Sequence, residues 1–267
     1  MKKAILLVTL LILAIYTSAQ KSYVFKVKYL PNYIYKSSSE ERLFPDINDN
    51  TEIFSVRTLS IETDKKNGKE KIPFKMFYDA KQRFIPMQEK FTQLNPKLDK
   101  QVYGNINDEK IDIDTVPGKK AKQVSDNDWT RIINEFELDL SFPLKPLSIG
   151  ESFTRTAYIQ IIHVGGLYQM PINITYILRN VKDNIAVFDT QLAMNFDFNW
   201  AKGFKAKGTA KGMGKLIFNI AKSYPEYISS DLEMNYSGSR TSIDIIVDTK
   251  PTTLRRVVEI KNEITPQ

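Results

Sequence analysis

The chain of 267 residues has no cysteine and a single histidine, and the two shortages exclude much chemistry. Without cysteine there is no disulfide framework, no thiol nucleophile and no thiolate metal site. His163 cannot supply a two-histidine metal site, and as a lone base it would need a positioned cleft, so a structural or surface role is the plainer one. No cofactor and no metal is expected, and the chain is not read as an enzyme. Long apolar runs are scarce as well. The one that stands out, Ala4 to Tyr16, is too short to span a bilayer. It follows Lys2 and Lys3 and precedes Thr17-Ser18-Ala19, the pattern of a secretory signal peptide over residues 1–19. The reading that follows is a mature chain of residues 20–267, exported to periplasm or medium, with no span across the membrane and no cysteine for a lipid anchor.

Charge is modest. Lysine and arginine number 38 against 31 acids, a formal +7 that falls to +5 when Lys2 and Lys3 leave with the leader. For an exported protein this disfavours nucleic acid and leaves lipid head groups or anionic glycan as partners, with plain solubility as the everyday explanation.

What is abundant is alternation. From Tyr23 to Tyr35 the odd positions carry aromatics, Val27 and Pro31, and the even ones include Lys26, Lys28 and Asn32, which predicts one long strand or two broken at Pro31. Ile53 to Thr63 and Ile72 to Tyr78 flank Asn67-Gly68, the signature of a tight hairpin. Phe84 to Leu94 reads as a further strand. In the second half, Phe153 to Val164 and Tyr168 to Leu178 flank Gly165-Gly166, and Lys182-Asp183-Asn184 turns the chain into a strand from Ala186 to Phe198. Strands are also predicted at 216–220, 227–236, 242–247 and 254–260.

One wet and one dry face per strand belongs to antiparallel sheets. The fold class predicted is mainly β: an antiparallel curved sheet, as half-barrel, barrel or sandwich, with one short amphipathic helix. The polar stretch from Asn95 to Asp128 divides an N-terminal β lobe, residues 20–120, from a helix plus C-terminal β meander, residues 121–267; one continuous β domain is the alternative. Ser125 and Asp128 form a capping box before Trp129, Ile132, Ile133 and Phe136, giving a helix over about 126–136 that would cover the open sheet.

Three groups of residues invite a chemical reading. Asp46 to Glu52 opens like a calcium loop, but Thr51 stands where glycine is needed and Arg57 where a bidentate glutamate is, so it reads as a turn. Asp108, Glu109, Asp112 and Asp114 have no spacing that shows two facing acids. The most specific feature lies between Phe198 and Pro225, where six lysines occur and no acid. As a strand it puts Lys205, Lys207, Lys211 and Lys215 on one face, over roughly 33 Å, and Ala206, Gly208, Ala210, Gly212 and Gly214 on the other. A run of glycine in a strand signals a bend, a bulge or close approach by another backbone or a ligand. Lys205, Lys207, Lys211, Lys215, Gly208, Gly212 and Gly214 are therefore the candidate ligand-binding residues, against the plainer account of a solvated strand whose lysines prevent edge pairing.

The stretch from Phe142 to Phe153, Phe-Pro-Leu-Lys-Pro-Leu-Ser-Ile-Gly-Glu-Ser-Phe, and the later Gly212-Met213-Gly214-Lys215-Leu216-Ile217-Phe218-Asn219 resemble phrases in exported β-rich proteins of unknown function from Bacteroidetes-type bacteria. Phe153 stands where tryptophan is more usual there. The resemblance implies an envelope or secreted location and no catalytic residues. The function these readings favour is a non-enzymatic envelope protein whose curved sheet holds a lipid or other hydrophobic ligand; the alternative is a surface module that recognises anionic glycan or a protein through its lysine ridge.

Overall fold

The computed structural model describes residues 21–66, 71–87, 90–93, 102–106, 111–115, 132, 140–143, 145–163, 166–200, 204–242, 245–248 and 251–267. They form fifteen strands: β1 (Ser22–Tyr23), β2 (Tyr33–Phe44), β3 (Glu52–Thr63), β4 (Ile72–Ile85), β5 (Thr92–Gln93), β6 (Val102–Ile106), β7 (Ile111–Thr115), β8 (Leu147–Ser148), β9 (Ser152–His163), β10 (Gly166–Lys182), β11 (Ile185–Trp200), β12 (Phe204–Asn219), β13 (Tyr224–Ser242), β14 (Ile245–Asp248) and β15 (Thr252–Pro266). Thirteen belong to one antiparallel sheet, ordered β7-β6-β4-β3-β2-β15-β13-β12-β11-β10-β9, with β5 beside β4 and β14 beside β13. The path ends on β7 at one side and β9 at the other, so the curved sheet is open and a closed barrel is excluded. The C-terminal strand β15 pairs with β2 from Arg255↔Phe44 to Pro266↔Tyr33, which joins strands of both halves of the chain in one sheet. Among the described residues no helix is long and apolar enough to cross a membrane.

Alternation predicted most of this. On β12 the burial pattern follows the sequence, with Lys205, Lys207, Lys211 and Lys215 exposed and Ala206, Ala210, Leu216 and Phe218 buried. At the β10–β11 turn Asp183 and Asn184 both take positive φ, 51° and 63°, so the two-residue loop matches the strand twist without a glycine. The Asn67-Gly68 turn and the helix expected over 126–136 lie outside the described residues. Ile132 alone of that stretch is described, and it is wholly buried in the core.

Four expectations are corrected. The alternation from Tyr23 to Tyr35 is neither one strand nor two that meet at Pro31. Only Ser22–Tyr23 pairs, with β8; β2 begins at Tyr33, after Asn32 turns the chain with φ 60°. The residues between form a strap across the dry face of the sheet. Its odd positions still face inward, because extended chain has the same period whether or not it joins a ladder. Phe25 is 4% exposed and stacks 5.4 Å from Phe142 and edge-on to Phe188 at 5.1 Å and Phe218 at 5.8 Å. Lys28 N–H donates to Ser223 O at 2.8 Å and Leu30 N–H to the Tyr35 hydroxyl. Phe25→Ala should lower unfolding free energy by about 3–5 kcal/mol in urea denaturation, since it empties the centre of this aromatic cluster.

Next, Phe84 to Leu94 is not a separate strand. β4 runs through Ile85 and stops before Pro86, which has no N–H to donate, and among the described residues of the rest of that stretch Thr92–Gln93 returns to pair with it as β5. Polar composition concealed β6 and β7 inside the region 95–128, where Val102 and Ile106 are buried. Finally, the strand predicted at 216–220 is the end of the sixteen-residue β12.

Candidate functional site

Residues that face each other across a ladder share a face, so the registers lay out the dry side of the sheet in rows. One row reads Phe188, Leu216, Ile228, Ile260, Ser39, Arg57 and Ala80, from β11 to β4. The next is Thr190, Gly214, Ser230, Val258, Glu41, Ser55 and Gln82. A third is Leu192, Gly212, Leu232, Arg256, Leu43, Ile53 and Phe84. The outer two rows are mainly apolar. The middle one is a polar band crossing seven strands, and Glu41 sits within it, flanked diagonally by the two arginines.

Glu41 receives both. Arg57 Nη1 donates to its Oε2 at 2.5 Å and Arg256 Nε to its Oε1 at 2.5 Å. Side-chain exposure is 11% for Glu41, 15% for Arg57 and 24% for Arg256. Burial alone pushes the carboxyl up, but the charges and hydrogen bonds of Arg256 and Arg57 outweigh it and hold it at about 2. Glu41 is therefore ionised throughout the neutral range and bonds both guanidiniums at once. Ser37, Ser39 and Ser55, each 5% exposed or less, surround it on the same face.

The strap meets the dry face at one end, where Tyr29, Tyr35 and Tyr224 also gather with ring centroids 5.0 to 5.6 Å apart. Burial raises Tyr35 to about 12 and pushes Tyr224 up as well, so both hydroxyls stay neutral at ordinary pH. Toward the other end of the same face, Phe196, Gly208 and Tyr236 are register neighbours, with Leu43 further along; Phe196, Tyr236 and Leu43 are half-buried.

The residues singled out from sequence divide between the two faces of β12. The glycines are on the dry face, and the nearest atom to each missing Cβ is main chain of β13. A Cβ at Gly208, Gly212 or Gly214 would overlap the carbonyl oxygens of Asn235, Asp231 and Ser229 of β13. The lysines are on the wet face, interleaved with acids. Lys207 stands opposite Asp197, Lys211 opposite Glu233 and Lys215 opposite Asp189, while Lys205 faces Asn199 and Ser239. Nearby, Arg179 binds Asp189 at 2.7 Å and Arg255 grips Asp231 through two bonds of 2.9 and 2.7 Å. His163 ends β9 opposite Gly166. Asp46 accepts from the Asn48 main-chain and side-chain amides at 3.0 Å each, the local bonding of a turn. Asp112 lies on β7, while Asp108 and Glu109 lie outside the described residues.

The Glu41 cluster escaped the sequence reading, though a signal was present. Ser37, Ser39 and Glu41 share parity with Tyr35, Arg57 with Leu59 and Ile61, and Arg256 with Leu254 and Val258. A charge on dry parity marks either a buried pair or a site.

No protein-family model matches the chain, and no curated protein sequence does. Among solved structures it is similar to lipovitellin, studied there for lipid–protein interactions, with 14% identity and a TM-score of 0.44. The match covers 90% of this chain and 26% of that one, so the chain spans about a quarter of its length.

Proposed function

We propose that the protein is a non-enzymatic, exported binder of a lipid or similar hydrophobic molecule, held on the dry face of its open sheet. The observation that carries this reading is a broad apolar face on an open sheet, on which the strap packs its aromatic cluster and where Leu43, Phe196 and Tyr236 stay half-buried. Apolar surface of this kind, next to a few convergent polar groups, is the usual make-up of a small-molecule site. The wet face supports the lysine-ridge alternative less well, because acids stand opposite three of its four lysines.

Extraction of the gently purified protein followed by mass spectrometry tests the proposal. A lipid recovered in near-stoichiometric amount is the expected result. Empty protein that also takes up no hydrophobic probe would overturn it.

A further inference from the structure

The loop that leads from β4 to β5 leaves apolar side chains in water. Met87 is 78% exposed and Phe91 40%. The return of the chain is pinned: Lys81 and Gln82 pair with Gln93 and Thr92, Thr92 Oγ1 donates to Gln82 O at 3.1 Å, and Gln93 Nε2 donates to Asp79 Oδ1 at 2.5 Å. Beside the loop, Arg42, Phe54 and Arg83 stand directly opposite one another on β2, β3 and β4. The Arg42 guanidinium lies over the Phe54 ring at 5.2 Å, and that of Arg83 is 5.4 Å from the Phe54 ring and 5.0 Å from the Phe91 ring. A guanidinium stacked on a ring keeps its N–H edge for oxygen acceptors, phosphate among them. Arg42 reaches Glu52 at 3.5 Å, and its side chain is 54% exposed. In sequence, residues 81–91 hold Lys81, Arg83 and Lys90 against one acid, Glu89, a formal +2. The neighbouring β2–β3 loop carries Asp46 and Asp49, but it leans the other way. Ile47 N–H donates to Thr253 O of β15 at 2.9 Å, and burial followed by the charge of Asp46 raises the Tyr236 hydroxyl on β13.

We infer that this corner of the sheet docks on the surface of an anionic lipid bilayer, with Met87 and Phe91 entering the head-group layer and Arg42, Arg83 and Lys90 meeting lipid phosphates. An apolar tip rimmed by cations suits a surface-bound anchor, in which buried apolar area and attraction to anionic lipid add together. A soluble polyanion would engage the cations and leave Met87 in water, so the exposed tip favours a bilayer over a glycan. Leu43, Ile53 and Phe84 form the dry row one residue along from the stack. Docking therefore turns that end of the dry face toward the membrane. The inference goes beyond the lipid-binding reading and does not need it, since a protein can sit on a bilayer without holding a lipid.

Flotation with vesicles tests this on the natural protein, purified in its exported form. The vesicles are phosphatidylcholine alone or mixed in equal parts with phosphatidylglycerol. The protein is expected to float with the mixed vesicles, less so as salt is added, and not with phosphatidylcholine alone. The lack of cysteine in the chain allows one dye to be placed at will. An environment-sensitive dye on Met87→Cys should brighten with the mixed vesicles, and the same dye on Ala221→Cys, in the β12–β13 turn at the far end of the sheet, should not. Met87→Asp should lower vesicle affinity about tenfold and Arg83→Gln about fivefold. The urea midpoint of Met87→Asp should match that of the natural protein, because its side chain already lies mostly in water. Failure to float with the mixed vesicles overturns the inference. So does flotation with the dye at 87 unchanged, which assigns docking to another surface. Retention on immobilised heparin by protein that ignores vesicles assigns the arginines to an anionic glycan and overturns the bilayer. A lipid extracted from protein that does not float leaves the lipid-binding reading standing and sinks this one, whereas flotation of protein that carries no lipid supports docking alone.

Discussion

Glu41→Gln should be among the most damaging single substitutions in the protein, lowering its unfolding free energy by about 3–5 kcal/mol. The cause is not the loss of an attractive pair as such. Removing the carboxylate takes from the guanidiniums of Arg57 and Arg256 the acceptor that they share on the dry face, and an amide there offers one oxygen and two further donors in its place. A triple change of Glu41, Arg57 and Arg256 to leucine removes the charges together and should recover most of the loss, because apolar packing matches or exceeds a buried ion cluster. The same residue sets an acid limit. Its carboxyl is held at about 2 in the fold against an ordinary 4.5, so the ionised form stabilises the native state fully above pH 4.5. That contribution, on the order of 3 kcal/mol, drains away as the pH falls from about 4.5 to about 2. Urea midpoints across this range should fall steeply in the natural protein and shallowly in Glu41→Gln. Parallel curves would show that the cluster is not the acid-sensitive element.

Much of the fold was legible because period two survives wherever extended chain has one dry side. β12 is the clearest case: its lysines and its alanine and glycine positions could be assigned to faces from the sequence alone. The same rule misled at Tyr23 to Tyr35, since the strap is extended and one-sided without joining the main sheet, and periodicity reports orientation rather than pairing. β6 and β7 are five residues each and carry too few apolar positions to rise above a polar background. The cluster on β2, β3 and β15 was hidden for a different reason. Its members are distant in sequence, Arg256 lying 215 residues from Glu41, and only the β2–β15 register brings them together. Polar residues on dry parity look like weak strands until that register is known, and afterwards they look like a site.

Gly214→Ala should cost several kcal/mol, far more than its single added methyl suggests, and Gly214→Val should prevent folding. β12 and β13 approach each other so closely here that the Ser229 carbonyl occupies the place of a side chain, and Thr190 Oγ1 lies 2.8 Å from the same point on the other side. Neither neighbour can yield cheaply, because one is main chain in a ladder and the other belongs to β11, paired along its length with β12. Gly212→Ala meets the same obstacle at Asp231. Gly150 provides the contrast. It has open space around its missing Cβ but a φ of +92°, so alanine there carries only backbone strain, about 1–3 kcal/mol. Urea denaturation of the three alanine variants should therefore place Gly214 and Gly212 well below Gly150. If Gly214→Ala were as stable as the natural protein, the two strands would have to be further apart than described. The rows that bring Gly214, Ser230 and Glu41 onto one band depend on that spacing, so the variant examines the frame of the proposed site as well as the packing of one strand.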